Sequence, residues 1–118
     1  MNRETVEKLI ADALEYDKTY SVQSVIDEVN AGRAEIWLTD NSIAVTNVMD
    51  KPNARIFHIW IAAGDLDELM TEIYPALEDR ARQVGCALLT ISGRRGWIRA
   101  LKPNGFNEVA TVGVKELT

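Results

Sequence analysis

The stretch WIAAGDLDELM, residues 60–70, has the composition of a junction between a β-strand and a helix. At such junctions many nucleotide- and cofactor-binding proteins place a glycine-rich loop, because the free N–H groups at a helix start point toward a bound anion. Here the turn carries one glycine, Gly64, and three acids, Asp65, Asp67 and Glu68. The first question is therefore whether this turn holds an anion or excludes one.

The acids at this junction predict a helix that caps itself. Asp65 fits the N-cap position, and Glu68 lies three residues later, as in a capping box. Asp67 and Glu68 would each stabilise the positive end of the helix dipole by about 0.3–1 kcal/mol. A pyrophosphate within about 4 Å of one carboxylate would cost on the order of 1 kcal/mol even in bulk water. We therefore predict that no cofactor binds here.

Few other side chains are suited to catalysis or metal binding. His58 is the only histidine, and the ordinary interpretation is a half-buried strand residue bonded to a neighbour. Cys86 is predicted to pack as a small apolar residue; a single cysteine excludes an internal disulfide and favours a reducing compartment. One histidine supports no catalytic triad, and His58 with Cys86 is too small a ligand set for structural zinc. We predict no catalytic residue and no metal.

Charge is distributed unevenly in a chain of net charge −5. Residues 65–79 contain six acids and no base, whereas residues 80–107, the basic segment, contain six bases and no acid. One interpretation is a pair of complementary solvated faces, within the fold or between subunits. The other is a docking surface for an anionic partner, such as an acidic protein or, alternatively, nucleic acid. Its predicted residues are Arg94, Arg95, Trp97, Arg99 and Lys102.

Hydrophobic periodicity predicts one α/β (α+β) domain over residues 1–118, with a helical part at 1–32 and the sheet, crossover helix and last strand at 33–118. The sheet is expected to be a single mixed layer of about five strands flanked by helices. No apolar run reaches membrane-spanning length, so no membrane partner is expected. The predicted order is helices at 3–16 and 21–30, strands at 34–39, 42–49 and 54–62, a helix at 65–84 kinked by Pro75, a strand at 86–91, a helix at 95–101 and a strand at 106–114.

This order resembles the GNAT superfamily of N-acetyltransferases, without the family's first strand. The clearest local match is GWIRALKPNGFNEVA, residues 96–110, in which Gly105 and Phe106 match a Gly-Phe pair before the last strand. The resemblance implies acetyl-CoA as cofactor, held in an active member by Ala63, Gly64 and Asp65. It also shows departures: the family's cationic glycine-rich loop is missing, Leu101 replaces a tyrosine acid, and the strand at 54–62 lacks the usual glutamate base.

Two further stretches, AGRAEIWLTDNSIAVTNV and HIWIAAGDLDEL, resemble small phage-encoded proteins with a degenerate GNAT-like fold, akin in layout to internal virion proteins of podoviruses. That resemblance implies a non-catalytic virion or morphogenesis protein, located in the host cytoplasm and incorporated in the virion. Its partners would be other phage proteins or further copies of the chain. The alternatives are an acetyl-CoA-dependent N-acetyltransferase with an atypical pyrophosphate loop, and an inhibitor that mimics charge through its acidic helix.

Overall fold

The computed structural model describes residues 1–15, 17–93 and 95–117, with the side chain of Arg95 left out. The helices are α1 (Arg3–Ala13), α2 (Val22–Asn30), α3 (Leu66–Glu68), α4 (Tyr74–Gln83) and α5 (Arg95–Leu101). The strands are β1 (Glu35–Leu38), β2 (Ser42–Lys51), β3 (Ala54–Gly64) and β4 (Leu88–Ile91). A π-helical turn at Leu69–Ile73 joins α3 to α4, and a 3-10 turn at Lys102–Asn104 follows α5.

The first two helices begin where their capping residues predict. The side chain of Asn2 accepts the Thr5 N–H at 2.8 Å, and Ser21 forms a closed capping box with Ser24. Both helices cover one face of the sheet. There they form an apolar cluster with β2 and β3, whose buried members are Ile10, Val25, Ala34, Ile43, Val45 and Ile61. α1 ends at Ala13, three residues before the predicted end.

Over the described residues the sheet has four strands in the order β1-β2-β3-β4, which corrects the expectation of about five strands. β1, β2 and β3 pair antiparallel, and β4 pairs parallel to β3 through the crossover helices. The missing strand is the one predicted at 106–114, which has no regular secondary structure in the described chain. Its valines favour an extended backbone, but a strand also needs a neighbouring edge to pair with.

The helices from α3 to α5 cover the opposite face, over a cluster of buried residues from β2, β3 and α4. The predicted helix at 65–84 is not one continuous α-helix. Its α-helical hydrogen bonding is interrupted just before Pro75, where the Tyr74 N–H bonds the Leu69 carbonyl in a π-helical turn. Pro75 has no N–H to donate, so it is tolerated near the start of the helical segment that follows.

Candidate functional site

β3 extends beyond the end of β4 in the middle of the sheet. The whole of β4, Leu88–Ile91, pairs with Ile56–Ile59 of β3, and β3 continues to Gly64. The register between β2 and β3 shifts at the same place, because Thr46 pairs with Ile59 and Val45 pairs with Ile61. Trp60 is thus an extra residue, a β-bulge, and bulges bend a strand and re-aim its side chains. From Trp60 onward β3 therefore has no strand paired on its β4 side, and the space beside this edge is here called the opening between β3 and β4.

The edge of β3 that faces this opening carries free backbone groups. Beyond the pairing with β2, no described group bonds the N–H or C=O groups of Trp60–Gly64. Next to it lies a small cavity of about 20 Å³, room for about one water molecule. Its walls are apolar and come from both sides of the opening: Ala44, Ile59, Ala62, Leu69, Met70, Ile73, Tyr74, Leu77, Ile91, Trp97 and Leu101.

The turn at the end of β3 is tightly built around Gly64. Its φ of 111° lies in the region that side chains disfavour, and a Cβ there would lie 2.2 Å from the Asn41 carbonyl oxygen. The Asp65 N–H donates to the Ser42 hydroxyl at 3.0 Å and to the Asn41 carbonyl at 3.3 Å. The loop between β1 and β2 therefore fixes the position of the helix start.

Asp65 caps α3, as the sequence predicts, because its carboxylate accepts the Glu68 N–H at 3.1 Å. The capping box is not closed, however. The Glu68 carboxylate reaches across to Asn41 and accepts its backbone N–H at 3.2 Å and its side-chain amide at 3.0 Å. No described group accepts from the N–H of Leu66 or Asp67. The helix start is thus acidic, but two of its backbone donors remain available.

His58 pairs with Thr90 of β4, one residue before the pairing between β3 and β4 ends. Its Nδ1 is 2.7 Å from the Thr90 hydroxyl oxygen, and its Nε2 is 3.3 Å from the Ser92 hydroxyl oxygen. Burial lowers the pKa of His58 from its ordinary value, so the ring is neutral at pH 7. In the tautomer that donates Nδ1–H to the Thr90 hydroxyl, Nε2 is the unprotonated nitrogen and can accept a proton.

On the same face of β3, two residues beyond His58, Trp60 forms an aromatic pair. Its ring meets that of Tyr20 edge to face, with centroids 4.8 Å apart. Tyr20 belongs to the loop between α1 and α2 and is 46% exposed. The face of β3 covered by α1 and α2 thus carries a basic ring and an accessible aromatic pair next to the opening.

The predicted interaction surface is only partly described. Arg94 lies outside the described residues, and Arg95 is placed by its backbone at the start of α5. Arg99 and Lys102 are exposed. Trp97, predicted as part of this surface, is partly buried, packs against the sheet cluster and lines the cavity. The surface itself stays a prediction.

The structure also places the other residues that the sequence singled out as candidates for catalysis or binding. Leu101 is buried and lines the cavity, where it cannot donate a proton. Cys86 packs partly buried against the same cluster, and burial raises the pKa of its thiol. Ala63 and Asp65 flank Gly64 at the end of β3, and their role in holding a cofactor stays a prediction. Within the described ranges no three His, Cys, Asp or Glu side chains form a metal-binding group, and no helix there has the length and apolar character to span a membrane.

Sequence reasoning missed Asn41, Ser42, Thr90 and Ser92. The sequence predicts Asn41 only as a residue of the turn between two strands and Ser42 only as the start of the strand at 42–49, yet both hold the acidic helix start. Thr90 lies in β4, and Ser92 follows directly after the end of that strand. Because every second residue of a strand points to the same face of the sheet, both side chains could be expected on one face. Their position beside His58, 32 and 34 residues away in sequence, follows from the strand register.

No protein-family model and no curated protein sequence matches the chain. Solved structures do match it. An aminoglycoside N-acetyltransferase AAC(6')-Iy in complex with CoA aligns with a TM-score of 0.68 and 12% identity, over 99% of this chain and 91% of that one. Glucosamine-6-phosphate N-acetyltransferase from Arabidopsis thaliana aligns with a TM-score of 0.65 and 12% identity, over 100% and 97%.

An acetyltransferase from Trypanosoma brucei also aligns, with a TM-score of 0.65 and 12% identity, over 97% of this chain and 92% of that one. None of these three structures is described as a phage or virion protein, so the resemblance to phage proteins stays a prediction. At such low identity the likeness concerns the fold. The four-stranded mixed sheet and its flanking helices match those of these N-acetyltransferases, so this chain has a GNAT-like fold.

Proposed function

We propose that the chain is an N-acyltransferase that binds acetyl-CoA in the opening between β3 and β4. The observation that carries this proposal is the coincidence of three features at Trp60: the end of the β3–β4 pairing, the bulge, and the start of a free strand edge. A structural neighbour with the same fold is solved with CoA, which supports the choice of ligand.

The free edge suits the central arm of CoA. That pantetheine arm is an extended chain with two secondary amides, which can pair with the open N–H and C=O groups of Trp60–Gly64 as an added strand would. Its thioester end then lies near the bulge, beside His58 and the aromatic pair. The apolar cavity walls under the opening exclude water from that region.

The pyrophosphate of CoA would lie at the start of α3, where the acids weaken its binding. Asp65 bonds the Glu68 N–H, and Glu68 is directed toward Asn41 by two hydrogen bonds. The free N–H groups of Leu66 and Asp67 are the donors left for a phosphate oxygen. We therefore expect acetyl-CoA to bind more weakly than it would at a cationic loop, with the exposed Asp67 carboxylate as the main cost.

His58 is the general base of the proposed reaction. The substrate amine attacks the thioester carbonyl, so a C–N bond forms, the C–S bond breaks, and CoA leaves as a thiolate that takes a proton from solvent. Nε2 of His58 accepts the proton that the attacking amine loses. The amine approaches on the face of β3 that carries Trp60 and Tyr20, whose rings can contact an apolar or cationic substrate.

The reaction is tested by incubating the protein with acetyl-CoA and a panel of primary amines, and measuring free CoA thiol and acetylated amine. The proposal expects amine-dependent release that is lost in His58→Gln. Release without acetylated amine would be hydrolysis. If no amine in the panel is acetylated and acetyl-CoA does not bind, the enzyme proposal is wrong.

A non-catalytic binding protein is the second candidate. It is favoured by the acidic helix start and by Leu101, which offers no proton at the position of the expected tyrosine. In that case the contacts would involve the exposed Arg99 and Lys102. Its assignment to a phage particle rests on the sequence resemblance alone. Acetyl-CoA binding decides between the two candidates, because the second requires none.

A further inference from the structure

A serine hydroxyl beside the His58 ring has no part in the proposed transfer to an amine. Ser92 follows β4 directly, and its Oγ lies 3.3 Å from Nε2 of His58. On the other side of the ring, Nδ1 is 2.7 Å from the Thr90 hydroxyl oxygen. A hydroxyl, a base within reach of it and a third group that orients the base form the arrangement that makes a serine reactive. Without substrate, the bond between nucleophile and base is often as long as this one.

The two partners differ in exposure in the way that this chemistry requires. His58 is partly buried, and burial lowers the pKa of its ring, so the base is neutral at pH 7. In the tautomer that donates Nδ1–H to Thr90, Nε2 accepts the hydrogen of the Ser92 hydroxyl. Ser92 is exposed, so a substrate carbonyl can approach its Oγ from solvent. Among the described residues, Oγ has no partner other than this ring nitrogen.

The backbone after Ser92 can stabilise an oxyanion. Gly93 has a φ of 157° and lies between the end of β4 and the start of α5 at Arg95. A Cβ at Gly93 would lie 3.3 Å from Cδ1 of Trp97, so glycine suits this close approach. No described group accepts the Gly93 N–H. Hydrolases whose serine lies between a strand and a helix use this N–H, that of the residue after the nucleophile, to bind the oxyanion.

We propose that Ser92 is a nucleophile, which takes the acyl group from a small ester and passes it to water. Oγ of Ser92 attacks the ester carbonyl while its proton moves to Nε2 of His58. The C–O bond to the leaving alcohol breaks, the alcohol takes that proton, and the acyl group remains on Ser92. Water then attacks the acyl-serine, His58 accepts a proton from the water and gives it to Oγ, and the carboxylic acid leaves.

The surroundings of the pair favour an uncharged ester with an aromatic alcohol part. Trp60 and Tyr20 form their edge-to-face pair on the same face of β3, two residues beyond His58, and Tyr20 is exposed. These rings offer a surface on which another aromatic ring can pack. Thr90 supplies a neutral hydroxyl where serine hydrolases have a carboxylate. The protonated His58 is therefore stabilised less, and we expect slow turnover.

The test uses para-nitrophenyl acetate, an uncharged aryl ester with a good leaving group. Because acylation by such an ester is faster than hydrolysis of the acyl-serine, we expect a burst of para-nitrophenol followed by slow release. Intact-mass spectrometry should show the gain of one acetyl group, and peptide mapping should place it on Ser92. Ser92→Ala should lose the burst and the adduct, and His58→Gln should slow the burst by about 10²- to 10⁴-fold. Thr111→Ala, which removes another exposed hydroxyl, is the matched control and should behave as the wild type.

Cys86 is a competing nucleophile, but burial raises the pKa of its thiol, which is therefore protonated at pH 7. Ser92 is exposed, so Ser92→Ala should leave the fold intact, which circular dichroism checks. The probe contains no CoA, so a protein that binds acetyl-CoA but has an unreactive Ser92 would overturn this proposal alone. An acetyl group found only on other side chains overturns it, as does a wild type that releases no more para-nitrophenol than Ser92→Ala.

Discussion

The ring of His58 and the hydroxyl of Thr90 meet across the β3–β4 pairing, with Nδ1 and Oγ1 2.7 Å apart. This contact lies one residue pair before the pairing of the two strands ends. It fixes the ring plane at the mouth of the opening, while Nε2 faces the exposed residue Ser92. The only histidine of the chain is therefore held where a group transferred in the opening would need a base.

His58→Gln should remove catalysis without removing cofactor binding. General bases typically contribute about 10²- to 10⁴-fold to a rate, so we expect the rate of amine acetylation to fall by about that range. Calorimetry should show an unchanged affinity for acetyl-CoA, which controls for misfolding. In the wild type the rate should fall as pH drops through the lowered pKa of His58, because the protonated ring cannot accept a proton. An unchanged rate in the variant would assign the base elsewhere.

The same histidine should make stability depend on pH. Burial lowers its pKa in the folded protein below the ordinary 6.5, so between the two pKa values the unfolded chain binds more protons. The contribution of His58 to the free energy of unfolding is fully present above pH 6.5. It is lost as the pH falls through the lowered pKa of the folded state. Urea unfolding at several pH values measures this, and His58→Gln, which does not titrate, should lose that part of the slope. If the free energy of unfolding changed with pH equally in the wild type and in His58→Gln, the lowered pKa would not belong to His58.

Gly64→Ala should destabilise the protein strongly. The new Cβ would lie 2.2 Å from the Asn41 carbonyl oxygen and 2.7 Å from the Ser42 Cα, at a φ of 111°. Left-handed strain and overpacking each cost about 1–3 kcal/mol, so we expect a loss of about 3 kcal/mol in the free energy of unfolding. Gly96→Ala in α5 is the matched control. It meets no atom within 4 Å and should be neutral or stabilising.

Asp67→Asn should strengthen acetyl-CoA binding. The substitution removes an exposed negative charge at the helix start and keeps Asp65 as the N-cap. A gain of about 1 kcal/mol corresponds to an affinity increase of about fivefold. Glu4→Gln, in the first turn of α1, changes net charge equally but lies on another helix and should leave the affinity unchanged. Equal effects of the two substitutions would show that net charge, and not this turn, governs binding.

Local signals in the sequence predicted most of the elements. The hairpin of β1 and β2 follows from β-branched residues around Asp40 and Asn41, and α5 has the predicted bounds of Arg95–Leu101. The Asp65 cap was also predictable, because an N-cap bond joins residues only three apart. These features depend on neighbours in sequence, so they can be inferred without a fold.

Features that depend on pairing between distant segments could not be inferred in the same way. The bulge at Trp60 is visible only once β2 and β3 are in register, since the sequence there is a continuous apolar run. The capping box of Asp65 stays open because Asn41, 27 residues before Glu68, binds the Glu68 carboxylate. The last strand was predicted from its valines, but pairing needs an edge that the pattern does not specify.

Isothermal titration calorimetry of the wild-type protein with acetyl-CoA decides whether the chain holds this cofactor. An acyltransferase that holds CoA along the free edge of β3 should bind it saturably, at one site per chain, with a dissociation constant well below about 1 mM despite the acidic helix start. A titration that shows no saturable heat up to about 1 mM acetyl-CoA, from a protein shown to be folded, would contradict the account and leave the non-catalytic binding protein as the better assignment.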